Sequence, residues 1–172
     1  MSFLDTKLLS VGNVESEIKE ISIPLKDNDL KFDPEIWSKQ KSKSKITKII
    51  INEEFEECLD GIDDFSHIIV IYLTDVPEKT RRTLKKVHPG GCSEMPLKGI
   101  FSCRSPIRPN PLAISTILLI ERTGNILTVD GLDAVDQTVI LDVRPYVGEA
   151  KHMLETATIA PWVSDLKQLF QK

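Results

Sequence analysis

The chain has 172 residues, 41% of them hydrophobic, with 22 basic and 26 acidic side chains and a formal net charge of −4. That length and apolar content predict a single domain over residues 1–172, with a real core and no room for a second of ordinary size. The acid excess argues against a nucleic-acid partner unless charge is segregated, and three scattered cysteines, Cys58, Cys92 and Cys103, without a Cys-x-x-Cys pair argue against a disulfide framework or structural zinc and leave buried thiols as the expectation.

Met1-Ser2-Phe3-Leu4-Asp5 lacks a basic-then-apolar leader and no apolar run reaches membrane-spanning length, so the expected location is cytoplasmic. Hydrophobic patterning then predicts strands at Lys7–Val11, Ile18–Ile23, Ile46–Ile51, His67–Leu73, Gly99–Cys103, Leu112–Glu121, Ile126–Val129 and Thr138–Val143. Lys26 to Ser44 is polar and irregular and predicts a loop. Ile68 to Leu73 is apolar on both faces, as a central strand would be. Gly124-Asn125 marks a tight hairpin. Helices are predicted at Glu53–Leu59, Glu78–Val87 and Pro161–Phe170; in the last, Val163, Leu166, Leu169 and Phe170 form one stripe behind Pro161. Many short strands and few helices predict a mainly β fold, a small barrel or sandwich.

The charge is indeed segregated. Lys39, Lys41, Lys43, Lys45 and Lys48 form one basic run, and Lys79, Arg81, Arg82, Lys85 and Lys86 another. Between them lies an acidic run of Glu53, Glu54, Glu56, Glu57, Asp60, Asp63 and Asp64. Any one run reads most simply as a solvated face, but two basic segments together suit a phosphate backbone.

The stretch from Gly99 to Ile120 organises the chain. Two apolar segments flank a polar turn that holds Arg104, Arg108 and Asn110 among Pro106, Pro109 and Pro111. Each proline fixes its own φ and restrains the residue before it, so Arg108 and Asn110 are presented in a stiff loop. Guanidinium forks match carboxylates or phosphates; alternatively one of the two arginines ties the loop to itself. No Gly-x-Gly-x-x-Gly or P-loop pattern is present, and His88-Pro89-Gly90-Gly91 reads as a loop. Asp130, Asp133 and Asp136 recur every third residue but lack the distal Glu of a calcium loop, so no metal is assigned. His67 reads as a structural histidine, and Asp142 either lies at the site or, as the simpler expectation, forms a buried pair with an arginine such as Arg144.

Arg104-Ser105-Pro106-Ile107-Arg108-Pro109-Asn110-Pro111, preceded by Phe65-Ser66-His67-Ile68 and followed by the run from Asp133 to Tyr146, resembles the TrmO (TsaA-like) family. The resemblance implies a small β-barrel that dimerises around S-adenosyl-L-methionine and methylates N6 of a threonylcarbamoyl-modified adenosine beside the tRNA anticodon. It implies a compact archaeal-type member without a further C-terminal domain. It places the cofactor near Arg104, Ile114, Asp136, Gln137, Thr138, Val139, Asp75 and Val76, and turns Arg108, Asn110, Arg81, Arg82, Lys85 and Lys86 toward RNA. No catalytic base is implied. Two departures stand out: Gln137-Thr138-Val139 replaces an expected Gly-Thr-Pro, and Ile21-Ser22-Ile23-Pro24-Leu25-Lys26 replaces a segment carrying Pro-Arg-Gln. Two other readings stay open, a methyltransferase with a small-molecule acceptor and a non-catalytic RNA-binding barrel.

Overall fold

The computed structural model describes residues 7–19, the backbone at 25–26 and 29–30, and residues 46–148 and 158–169. These fall into two compact units. One is built from the chain up to Ile21, Lys43–Asp75 and Leu112–Tyr146; the other takes Ser22–Ser42, Val76–Pro111 and the chain from Val147 onward.

The first unit is a closed six-stranded barrel of β1 (Gly12–Glu15), β4 (Ile46–Ile51), β5 (His67–Leu73), β8 (Leu112–Thr123), β9 (Ile126–Asp130) and β10 (Val139–Pro145). Its strand order is β1-β10-β5-β8-β9-β4, antiparallel throughout. Period-two alternation explains the closure. Thr47, Ile49 and Ile51 of β4, Ile68, Val70 and Tyr72 of β5, and Leu127 and Val129 of β9 all point inward and are buried. Leu59 and Ile62 join this core from one connection, and Leu132 and Ala134 from another. Gly12 lets β1 approach β4, since a Cβ there would lie 2.3 Å from the Ile50 carbonyl oxygen. The Gly124-Asn125 hairpin forms as expected, with Thr123 opposite Ile126 and Gly124 at φ 60°.

Several expectations are corrected. Lys7–Val11 is not a strand; pairing begins at Gly12, where the missing side chain permits it. Ile18 and Lys19 are not strand either, and Glu20–Ile23 lie outside the described residues. Within the predicted loop, β2 (Leu25–Lys26) pairs with β3 (Asp29–Leu30); the remainder to Ser44, with Lys39 to Lys45 of the basic run, lies outside the described residues. Lys48, at the end of that run, sits on β4 and meets Glu15 at 3.3 Å. Glu53–Leu59 is helical but wound as a 3-10 segment. Arg122 anchors the acidic stretch, donating to the Leu59 carbonyl at 3.0 Å and to Asp60 at 3.3 Å. β5 is no more central than its neighbours, because a closed barrel gives every strand two partners, and its outer residues Ile69, Ile71 and Leu73 are half-buried.

In the second unit, α1 covers only Glu78–Thr83, and β6 (Lys86–Val87) pairs with β7 (Lys98–Gly99). The predicted helix to Val87 and the predicted strand Gly99–Cys103 both give way to one need. Leu84, Val87, Ile100, Cys103 and Ile107 must share a small core with Val76, and a hairpin followed by a one-turn 3-10 segment at Ile100–Ser102 brings them together. α2 spans Pro161–Leu169, with Val163, Leu166 and Leu169 half-buried; Phe170 lies outside the described residues. Among the described residues no helix is long and apolar enough to cross a membrane.

Candidate functional site

The barrel's connection from Gly131 to Thr138 links β9 to β10 at the end where β5 finishes and β8 begins, because Tyr72 pairs with both Ile140 and Ala113. Asp136, Gln137, Thr138, Val139 and Asp75 collect at this end. Ile114 lies slightly further down the outer face, 68% exposed, in a cross-strand row with Ile71 and Asp142.

β1 sets the shape of the connection. The Gln137 N–H donates to the Val14 carbonyl at 2.7 Å and the Asp136 N–H to the Ile18 carbonyl at 2.7 Å. The Asp136 carboxylate accepts from Lys19 Nζ at 2.7 Å and from the Ser16 N–H at 3.0 Å. The Lys19 bond first, and the Ser16 N–H second, hold this carboxyl below the usual aspartate range. Gln137 has φ 62°, the one positive φ outside glycine among the described residues. The family resemblance led to glycine at this position, and the backbone adopts the left-handed conformation that glycine would supply. Asn13 Nδ2 donates to Gln137 Oε1 at 3.0 Å, so the side chain absent from a glycine is itself tied to β1.

The sequence reading missed three hydroxyl groups at this end. Tyr72 and Ser115 hydroxyls are 3.1 Å apart, and the Tyr72 hydroxyl reaches the Asp133 carbonyl at 3.5 Å, joining β5, β8 and the connection. Burial lifts the Tyr72 phenol above its ordinary value, with the Ser115 bond pulling the other way. Thr74 Oγ1 is buried without a hydrogen-bond partner, alone in this among the side-chain polar atoms of the described residues. A buried orphan hydroxyl is costly, and this one lies two residues past Tyr72, the β5 residue that pairs with Ile140 of β10. Its only sequence signal was a hydroxyl at the end of an apolar strand.

The second unit carries the arginines. Arg81 donates from Nε to the Val76 carbonyl at 2.9 Å and from Nη1 to the Pro109 carbonyl at 2.8 Å, clamping the proline loop. Arg108 Nη1 donates to the Cys103 carbonyl at 3.1 Å and the Ile100 carbonyl at 3.4 Å, the self-tying role weighed for it above. Arg82 pairs with Glu78 at 2.7 Å on the solvated helix face. Arg104, Asn110, Lys85 and Lys86 are exposed, and Val76 is buried in the small core. Arg104 has no hydrogen bond or ion pair among the described residues, which leaves its fork for a carboxylate or phosphate.

Two side readings are settled here. Asp142 does pair with Arg144, at 2.8 Å, but on the surface and not in a buried pair. Buried thiols were the expectation for all three cysteines, yet Cys58 is exposed and only Cys103 is buried.

The sequence matches the pattern described as the tRNA-methyltransferase O N-terminal domain over residues 34–152. A probable S-adenosyl-L-methionine-binding protein of Methanothermobacter thermautotrophicus is 33% identical over 85% of this chain and 93% of its own length. A second protein so described, from Archaeoglobus fulgidus, is 41% identical over 60% of this chain but only 29% of its own. A mouse tRNA (adenine(37)-N6)-methyltransferase is 31% identical over 67% of this chain and 26% of that protein. This chain thus spans less than a third of the last two. A crystal structure of TrmO superposes with a TM-score of 0.60 at 24% identity, covering 91% of this chain and 64% of that one, a likeness of fold.

Proposed function

This chain belongs to the tRNA-methyltransferase O family, and we propose on that footing that it is an S-adenosyl-L-methionine-dependent methyltransferase acting on tRNA. The observation that carries the reading is the barrel end, where the connection into β10 holds a left-handed backbone at Gln137 and β5 runs out to the orphan hydroxyl of Thr74. An adenosyl group presents ring nitrogens and hydroxyls and no phosphate, so backbone groups of a shaped connection and a lone hydroxyl suit it better than a glycine-rich phosphate cradle. When bound, the cofactor supplies a methyl group on a sulfonium, with a good leaving group already in place. The residues from Asp136 to Val139 hold it by shape, Thr74 supplies a hydrogen bond, and Asp75 and Ile114 flank it. Arg104 is proposed as a cofactor contact on the family resemblance alone, with a fork suited to a carboxylate.

The acceptor we propose is N6 of a threonylcarbamoyl-modified adenosine beside the anticodon, in keeping with the mouse relative named for the N6 of tRNA adenine 37. RNA meets the cationic side chains Lys85 and Lys86 and the exposed Asn110, and Arg81 and Arg108 hold the loop that carries Asn110. The working form is a homodimer: the outer face of β8 exposes Ile114, Leu118 and Ile120, a row of apolar side chains that a second copy would cover. The cytoplasm, where tRNA is found, is the proposed location.

The test is transfer of labelled methyl from S-adenosyl-L-methionine to threonylcarbamoylated tRNA. Incorporation that depends on the threonylcarbamoyl group supports the full reading. Incorporation into unmodified tRNA alone replaces the acceptor, and no incorporation at high protein concentration removes tRNA methylation.

A further inference from the structure

Phe101 was expected inside an apolar strand, and the structure puts it outside. β7 stops at Gly99, and the 3-10 turn at Ile100–Ser102 sends Ile100 and Cys103 into the small core at 4% and 9% exposure. Phe101 is left 78% exposed. An isolated exposed phenylalanine needs no explanation on its own. This one is braced, because the Arg108 guanidinium lies 5.6 Å from the ring centroid and is itself fixed to the Ile100 and Cys103 carbonyls.

Its surroundings are cationic. From Val76 to Pro111 the chain carries Lys79, Arg81, Arg82, Lys85, Lys86, Lys98, Arg104 and Arg108 against only Glu78 and Glu94, the reverse of the whole-chain balance. Glu78 is already held by Arg82. Spatially, Lys86 and Lys98 lie on the β6–β7 hairpin that leads into the turn, and the Ile100 N–H donates to the Lys85 carbonyl at 3.0 Å. Both Lys98 and Arg108 are near enough to Cys103 to draw its thiol pKa down against the larger upward effect of burial.

We infer that Phe101, braced by Arg108, is a stacking platform for an unpaired base of RNA, with Lys85, Lys86 and Lys98 meeting the adjoining phosphates. A rigid aromatic face among cations is what single-stranded nucleic acid requires: the ring takes the flat apolar base, and the lysines release counterions from the backbone. An apolar protein partner would match the ring and not the guanidinium against it or the lysines of the adjoining hairpin. The inference rests on the proposed tRNA substrate and names the element that grips it.

The test is binding of a fluorescein-labelled anticodon stem-loop RNA to the full chain, followed by anisotropy across a salt series, for wild type, Phe101→Ala, Phe101→Leu and Phe101→Trp. The expected result is about tenfold weaker binding for Phe101→Ala and Phe101→Leu, with wild-type affinity and indole quenching for Phe101→Trp. The salt slope stays the same in all three, whereas Lys86→Ala lowers it by about one. Because the side chain is exposed, thermal melting should be unchanged. RNA affinity indifferent to residue 101, full affinity in Phe101→Leu, or a loss of S-adenosyl-L-methionine binding or of dimer mass in place of RNA affinity would each overturn the platform while leaving the tRNA reading standing. Absence of wild-type RNA binding would overturn both.

Discussion

Gln137 offers a prediction whose sign is opposite to the usual one. At an ordinary negative φ, alanine is more stabilising than glycine by about 0.4–1 kcal/mol, because glycine has more unfolded-state freedom to lose. At φ 62° the backbone is left-handed, which costs a residue with a Cβ about 1–2 kcal/mol. Comparing Gln137→Gly with Gln137→Ala cancels the lost hydrogen bond to Asn13, since neither variant can make it. The difference leaves glycine ahead by about 1 kcal/mol, or about 2–4 °C in melting temperature for a chain of this length. Thermal unfolding followed by circular dichroism reads it directly. An alanine variant as stable as the glycine variant would show that the connection does not hold a left-handed residue at 137, and the shape argued for the barrel end would fall with it.

Other consequences can be checked with the same variants in hand. Gly12→Ala places a Cβ against the Ile50 carbonyl oxygen and should destabilise the barrel by about 2–3 kcal/mol in urea unfolding; an unchanged midpoint would refute the close approach of β1 and β4. Thr74→Val removes a buried unpaired hydroxyl, so it should raise stability by about 1 kcal/mol and yet weaken S-adenosyl-L-methionine binding about fivefold. If both measurements move in the same direction, Thr74 is not a ligand partner. Asp136 has a lowered pKa in the folded chain, so its contribution is full above the ordinary carboxylate value and is lost as pH falls through the lowered one. Lys19→Met should move the Asp136 titration upward in carboxyl-observed NMR, and an unmoved midpoint would mean the 2.7 Å ion pair does not form in solution.

Strands whose two faces differ, or that are apolar throughout, were legible: β4, β5, β8 and β9 fall where alternation put them, and Gly124-Asn125 turned as its residues require. The segments that failed are those in which a few side chains serve a small second core. Nothing local distinguishes Ile100-Phe101-Ser102 as a 3-10 turn from the same residues in a strand; only the joint burial of Ile100 and Cys103 decides it. The site was legible as chemistry and less so as geometry. The family resemblance marked Gln137 as standing where glycine is expected, but Asn13, more than a hundred residues away, is visible as its tether only once β1 pairs with β10. Similarly, a list of arginines cannot separate Arg81 and Arg108, whose donors close a loop, from Arg104, whose donors face outward.

The central claim is that the barrel end holds S-adenosyl-L-methionine, and calorimetric titration of the purified chain tests it most directly. The expected result is binding in the micromolar range, about −8 kcal/mol, that weakens in Thr74→Val. No heat of binding at millimolar cofactor, from a protein shown to be folded, would contradict it.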